Sequence, residues 1–347
     1  MRITVLMGGT TAEREVSLAS GRQVVRALRS LGHDVVAIDT ARGFLPPGDE
    51  DRWIPESPGT EPPRPEDLAV MVRGEIAPAL GDLPAVRQTD VVFLALHGGA
   101  GEDGRLQALL DLVGIPYTGS GYVGSALAMD KVLSKLLFER VGIPTPAWCT
   151  APADPQTVAT AVGFPAVVKP SKQGSTVGLT VVRRPEELDA AVETAFRFDD
   201  EVLIEAFVPG RELTVGILGE RALPVVEIVP KHEIYDYTCK YTKGMSEYLV
   251  PAPLADAQAA ELQELALRAH RTLRLRGFSR IDFRMDPAGR VYCLEANSLP
   301  GLTETSLLPK AAAAAGISFP ELCDQIVREA LDARGSGGAG RGRSGDG

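Results

Sequence analysis

Residues 280–301, RIDFRMDPAGRVYCLEANSLPG, constrain the fold more than any other stretch. They read as two strands joined by a Pro/Gly turn, yet one face carries Arg280, Asp282, Glu295 and Asn297. Side chains two apart on a strand share a face, roughly 7 Å between Cα atoms, so Glu295 and Asn297 point the same way and Asp282 can join them across the turn. Two carboxylates and an amide oxygen with no intervening base form a hard-oxygen cage suited to Mg²⁺. A solvent-facing polar strand face has the same spacing. The flanking Ile281, Phe283, Val291 and Leu294 favour strands internal to a domain.

Composition narrows the partner. At 347 residues, 44% hydrophobic and 24% charged, the chain is long and apolar enough for two or three globular domains. A formal charge of −10 argues against nucleic acid and anionic membrane as partners, because both need many Lys and Arg, and favours a small molecule. Cys149, Cys239, Cys293 and Cys323 form neither a CxxC pair nor a regular framework and read as free thiols in a reducing compartment. The apolar run Ile3–Met7 is too short for a signal peptide, and no stretch approaches the roughly 20 apolar residues of a membrane helix. The expected location is cytoplasmic.

Residues 1–40 alternate strand, helix, strand, a parallel α/β opening. Residues 41–88 hold nine prolines and few apolar runs, predicting an irregular surface excursion before VVFLAL (91–96) resumes the sheet. The Gly-rich HGGAGEDG then lies at a strand's carboxyl end, where open α/β sheets bind ligands. Asp130 is placed to cap the helix KVLSKLLFERVG; FPAVVKP, KQGSTVG and LTVVRR follow as strand, loop and strand, then the helix PEELDAAVETAFRF and the strand VLIEAF. ELTVGIL and PVVEIV, with no helix between them, predict a mixed or antiparallel sheet, ahead of a long helix over 256–276. After the amphipathic FPELCDQIVREALDA, the tail 335–347 is expected to be disordered.

KQGSTVG (172–178) sets small residues between strands, where backbone N–H groups can approach phosphate; it lacks Walker A spacing, and a plain hairpin loop fits as well. Lys131, Lys169 and Lys240 fall at a helix start, a strand end and a loop, and each alone is most often a solvated amine. Three lysines, a phosphate loop and a metal cage together suit a nucleoside triphosphate, whose transfer chemistry is mostly charge neutralisation. YDYTCKY (235–241) either covers a core edge or carries Lys240 and Tyr241 over a site to exclude water. His97 alone is more often a hydrogen-bonded loop histidine, and Glu15 a first-turn glutamate favoured by the helix dipole.

Taken in order, GGTTAEREVSLAS, HGGAGEDG, MDK, KPSKQGSTVG, IEAFVPGRE, YDYTCKY, RIDF and LEANSLPGLTETSLLPKAA resemble the D-alanine:D-alanine ligases of the ATP-grasp superfamily over nearly the whole chain. The resemblance implies a three-domain α/β fold with α+β elements. A Rossmann-like parallel-sheet (preATP-grasp) domain would span 1–120, a central ATP-grasp domain 121–205 and a C-terminal ATP-grasp domain 206–334. ATP would lie between the last two, with adenine against Glu205, Ala206, Phe207 and Val208, ribose on Glu212, and phosphates on Lys131, Lys169, Lys240 and the loop around Ser175. Asp282, Glu295 and Asn297 would hold two Mg²⁺ ions, Mn²⁺ being an alternative.

The implied activity is synthesis of D-alanyl-D-alanine for peptidoglycan through an acyl phosphate. Arg280 and the N–H of Gly301 would stabilise the tetrahedral oxyanion. Glu15 would anchor the first D-alanine's ammonium in a network with Ser175 and Tyr241, with His97 nearby; Ser306 and the N–H of Leu307 would grip the second carboxylate. Tyr241 favours an amine nucleophile over a hydroxyl. The alternatives are a D-alanyl-D-serine or D-alanyl-D-lactate ligase, another ATP-grasp carboxylate–amine ligase, and a nucleotide-binding regulator without turnover. The resemblance also implies a homodimer. Cys239 and Glu304 depart from the family's usual residues.

Overall fold

The computed structural model describes residues 1–54, 59, 77–232, 235, 239–240, 242 and 244–338. Strands β1 (Arg2–Met7), β2 (Asp34–Asp39), β3 (Gly43–Leu45) and β4 (Val91–Leu94) form one sheet in the order β3-β2-β1-β4. β1 pairs parallel with both β2 and β4, as the alternating opening predicts. All four residues of β4 are buried, the continuous apolar run expected of a parallel strand covered on both faces.

The Pro-rich segment is not wholly superficial. Gly43–Leu45 joins the sheet antiparallel to β2, and Ile54, Leu80 and Val86 are buried in the first sheet's core. Its few apolar residues stand singly between prolines, so no periodicity announces them. Residues 55–58 and 60–76 lie outside the described residues.

β5 (Trp148–Thr150), β6 (Ala166–Pro170), β7 (Thr180–Val182) and β8 (Val202–Ala206) form a second sheet, ordered β5-β8-β6-β7, with the helix Leu188–Phe196 packed on it. The helix Lys131–Arg140 starts where Asp130 caps it, the Asp130 carboxylate accepting from Leu133 N at 2.9 Å. Among the described residues the third sheet has six strands: β9 (Arg211–Leu218), β10 (Arg221–Ala222), β11 (Val226–Pro230), β12 (Ser246–Leu249), β13 (Phe278–Met285) and β14 (Val291–Asn297). Its recorded pairings are all antiparallel, and the helix Asp256–Thr272 buries Leu262, Ala266 and Ala269 against it.

The last helix, Phe319–Gly338, returns to the start of the chain, where Leu322, Ile326 and Val327 complete the first sheet's core. It extends into the segment expected as tail; residues 339–347 lie outside the described residues. No helix among the described residues is long and apolar enough to cross a membrane.

Candidate active site

The hairpin's charged faces converge. Antiparallel register sets Arg280 opposite Asn297 and Asp282 opposite Glu295, and on the neighbouring strand Thr214 stands opposite Asp282 and Glu212 opposite Arg284. The ladder slips after Asp282, where Phe283 faces Cys293. The extra residue, Leu294, lines the site beside Glu295 while Phe283 and Cys293 stay buried in the core.

Asp282 is the hub of this face. Arg280 donates to it twice, Nε to Oδ1 at 2.9 Å and Nη2 to Oδ2 at 2.7 Å. Thr214 Oγ1 donates at 2.6 Å and Asn297 Nδ2 at 2.9 Å. Burial opposes the guanidinium's charge, but Asp282 more than offsets it and raises the Arg280 pKa further. Glu295 accepts no hydrogen bond from a described residue; its partner is Lys131 Nζ at 3.3 Å. Burial would raise its pKa, yet Lys131, Lys169, Lys240 and Arg280 together pull it down to about 2. A carboxylate kept ionised with open lone pairs, beside a second carboxylate and an amide, is a donor set that fits a hard divalent cation.

Two adjoining cavities meet at this face and share Lys131, Ser175, Lys240, Arg280 and Glu295. The first runs between the second and third sheets and is lined by Lys169, Glu205, Ala206, Phe207, Val208, Glu212 and Asp282. The second opens toward the first sheet and is lined by His97, Asn297, Gly301, Ser306 and Leu307. Ser306 N-caps the helix Leu307–Ala314, whose N–H groups make a natural carboxylate seat. His97 is held by the 298–302 loop: Nδ1 lies 2.9 Å from Leu299 O, and burial lowers its pKa.

Lys169 donates to Glu205 Oε1 at 2.5 Å, and Lys131 to Gln173 O at 2.7 Å. In the loop after β6, Ser175 and Thr176 have φ of 50° and 60°, left-handed values uncommon for non-glycine residues.

The description "D-ala D-ala ligase N-terminus" matches residues 2–120, and "D-ala D-ala ligase C-terminus" matches 137–328. The chain belongs to the D-alanine–D-alanine ligase family. Among curated relatives, the D-alanine–D-alanine ligase of Gloeobacter violaceus is 45% identical over 338 residues, covering 96% of this chain and 100% of the relative. That of Syntrophotalea carbinolica is 43% identical over 326 residues, covering 94% and 95%. A crystal structure of the Bacillus anthracis D-alanine–D-alanine ligase complexed with ATP superposes with a TM-score of 0.75 at 30% identity, covering 97% of this chain and all of that one.

Within this ligase family member, one sequence expectation is corrected. The acid that meets Ser175 is Glu13, not Glu15. Ser175 Oγ donates to Glu13 Oε1, and Glu13 lines the second cavity, whereas Glu15 accepts from Gly59 N at 2.6 Å and is in the lining of neither cavity. Glu13 precedes the helix Arg14–Ser30 and Glu15 sits inside it, so the two side chains leave in different directions. A Cβ at Gly174 would lie 2.9 Å from Glu13 Oε2, so a side chain there would push the carboxylate end of Glu13 aside. Tyr241, the third member of the expected network, lies outside the described residues, as does much of YDYTCKY. Cys239 beside Lys240 is buried rather than exposed.

Sequence reading also missed Lys135 and Glu102. Lys135 is fully buried, its Nζ 2.7 Å from Glu205 Oε2; it lies one helical turn after Lys131, and that spacing is its only sequence signal. Glu102 accepts from Gly98 N at 2.9 Å and Leu299 N at 3.2 Å. Burial, then the charge of Glu13, raises its pKa to about 7.

Proposed function

We infer that this chain joins two D-alanine molecules into D-alanyl-D-alanine with conversion of ATP to ADP and phosphate, the dipeptide serving peptidoglycan synthesis. The observation that carries the reading is the face formed by Arg280, Asp282, Glu295 and Asn297, set by strand register at the junction of a lysine-lined cavity and an acid- and amide-lined one. Family membership over nearly the whole chain, and the likeness to a ligase solved with ATP, support it.

In this reading the first cavity takes ATP, with adenine against Glu205–Val208, ribose on Glu212 and phosphates on Lys131, Lys169 and Lys240. Asp282, Glu295 and Asn297 hold two Mg²⁺ ions, or Mn²⁺ in their place. The metal pair supplies charge neutralisation at the phosphates, which lowers repulsion toward an attacking carboxylate. The second cavity takes both amino acids. Glu13, rather than Glu15, pairs with the first ammonium, with Ser175 holding its carboxylate in place and His97 alongside. A carboxylate oxygen of this D-alanine attacks the γ-phosphorus and ADP leaves, giving an acyl phosphate. The amine of the second D-alanine, its carboxylate seated on Ser306 and the N–H of Leu307, attacks the acyl carbon. Arg280 and the N–H of Gly301 stabilise the oxyanion, and phosphate departs as the amide forms and the amine releases its protons. The protein acts in the cytoplasm as a homodimer, which sedimentation velocity tests independently.

Incubation with ATP, Mg²⁺ and D-alanine releases phosphate only when D-alanine is present, and the product is D-alanyl-D-alanine. Phosphate release stimulated by L-alanine alone overturns the stereochemical reading. Preference for D-serine or D-lactate as second substrate overturns the product.

A further inference from the structure

Glu205 is gripped by two lysines. Lys169 donates to Oε1 at 2.5 Å, and Lys135 stands 2.7 Å from Oε2, off the direction of a good hydrogen bond, so that contact is chiefly electrostatic. All three side chains are buried, yet only Lys169 and Glu205 line the nucleotide cavity. Lys135 lies behind them, where Nζ also donates to Thr145 Oγ1 at 2.5 Å. A single buried carboxylate facing a single lysine would cancel its charge. Two lysines on one carboxylate leave a net positive charge at the cavity wall.

We propose that Lys135 is a positioning residue for the nucleotide: by engaging one oxygen of Glu205 it leaves Lys169 a net attraction for phosphate. The proposal rests on the reading that the first cavity takes ATP. Burial lowers the pKa of Lys135, while that of Lys169 is raised: burial opposes it and the charges of Glu205 and Glu295 prevail. Without Lys135, Glu205 competes undivided with phosphate for Lys169, and a buried carboxylate loses half its compensation.

The test is a charge-pair cycle on the full chain with Mg²⁺. Lys135→Met is expected to raise KM for ATP about tenfold and weaken ADP binding by titration calorimetry about as much, the loss expected of one charge-assisted contact. kcat is expected to fall less, and KM for D-alanine to stay within about twofold, since the amino acids occupy the other cavity. In a Glu205→Gln background, with that single variant as reference, Lys135→Met is expected to change ADP binding by less than about threefold, because no carboxylate remains for the lysine to engage. A folded Lys135→Met with unchanged KM for ATP overturns the proposal, as does a loss of ADP binding on Lys135→Met that is as large in the Glu205→Gln background as in the parent. A merely structural Lys135, acting through Thr145, predicts that second result. Where Lys135→Met alone fails to fold, the double variant is compared with Glu205→Gln, and ADP binding about tenfold weaker than that of Glu205→Gln overturns the proposal. Absence of ADP binding by the parent protein overturns the nucleotide reading itself.

Discussion

The Ser175 hydroxyl donates to the carboxylate of Glu13 across 162 residues of sequence, joining the loop of the second sheet to the entry of the first helix. Gly174 lets the two approach, and Ser175 accepts a left-handed backbone to make the contact. The bond ties two parts of the chain around the cavity proposed for D-alanine.

Glu13→Gln is therefore expected to lower kcat/KM for D-alanine by about 10–100-fold, the loss of one charge-assisted pair. Glu15→Gln is expected to change it less than about threefold, since its carboxylate is turned to Gly59. Steady-state kinetics with varied D-alanine check both; equal losses would return the role to Glu15.

Arg280→Lys is expected to reduce kcat by about 100-fold or more, the scale of removing an oxyanion donor. The guanidinium holds both oxygens of Asp282, and an ammonium cannot reproduce that planar fork. Asp282→Asn should abolish turnover and also lower Tm, because it leaves a buried guanidinium without its carboxylate. Activity assays with thermal melts test this pair, and an active Arg280→Lys removes Arg280 from the oxyanion role.

Glu295 carries a pH signature. Its folded pKa, about 2, lies below the ordinary 4.5, so its contribution to stability is complete above pH 4.5 and disappears as pH falls through about 2. Urea melts between pH 5 and 2 should lose up to about 3 kcal/mol from this group. Glu295→Gln should flatten that part of the curve.

Glu102 has the opposite sign. With a folded pKa near 7 against the ordinary 4.5, the native state binds its proton more tightly than the unfolded chain does. Stability should fall by up to about 3 kcal/mol as pH rises from 4.5 to 7. Glu102→Gln keeps an acceptor for Leu299 N and should make the protein more stable than the parent above pH 7; a variant with the parent's pH profile rules the assignment out.

Local patterns in the sequence carried much of the architecture. Apolar runs located β1, β2 and β4, the Asp130 cap located its helix, and period-two spacing put Arg280 with Asp282 and Glu295 with Asn297 on shared strand faces. The Pro-rich segment's buried Ile54, Leu80 and Val86 were hidden because burial there comes from distant partners rather than from a repeating pattern.

The chain's own order of residues determined which chemistry is present: the acids, amide and arginine of the hairpin, and lysines at the ends of helices and strands. Only the tertiary structure decided which of these groups meet. Glu13 and Glu15 stand on either side of Arg14, and no sequence pattern distinguishes them; the strained Ser175 loop, brought from another sheet, selects Glu13. Lys135 looks in sequence like any helix lysine, and its burial against Glu205 exists only because the fold brings a strand of the second sheet to that helix. Backbone periodicity depends on neighbours a few residues away, whereas a buried ion pair depends on desolvation, which the folded chain alone provides.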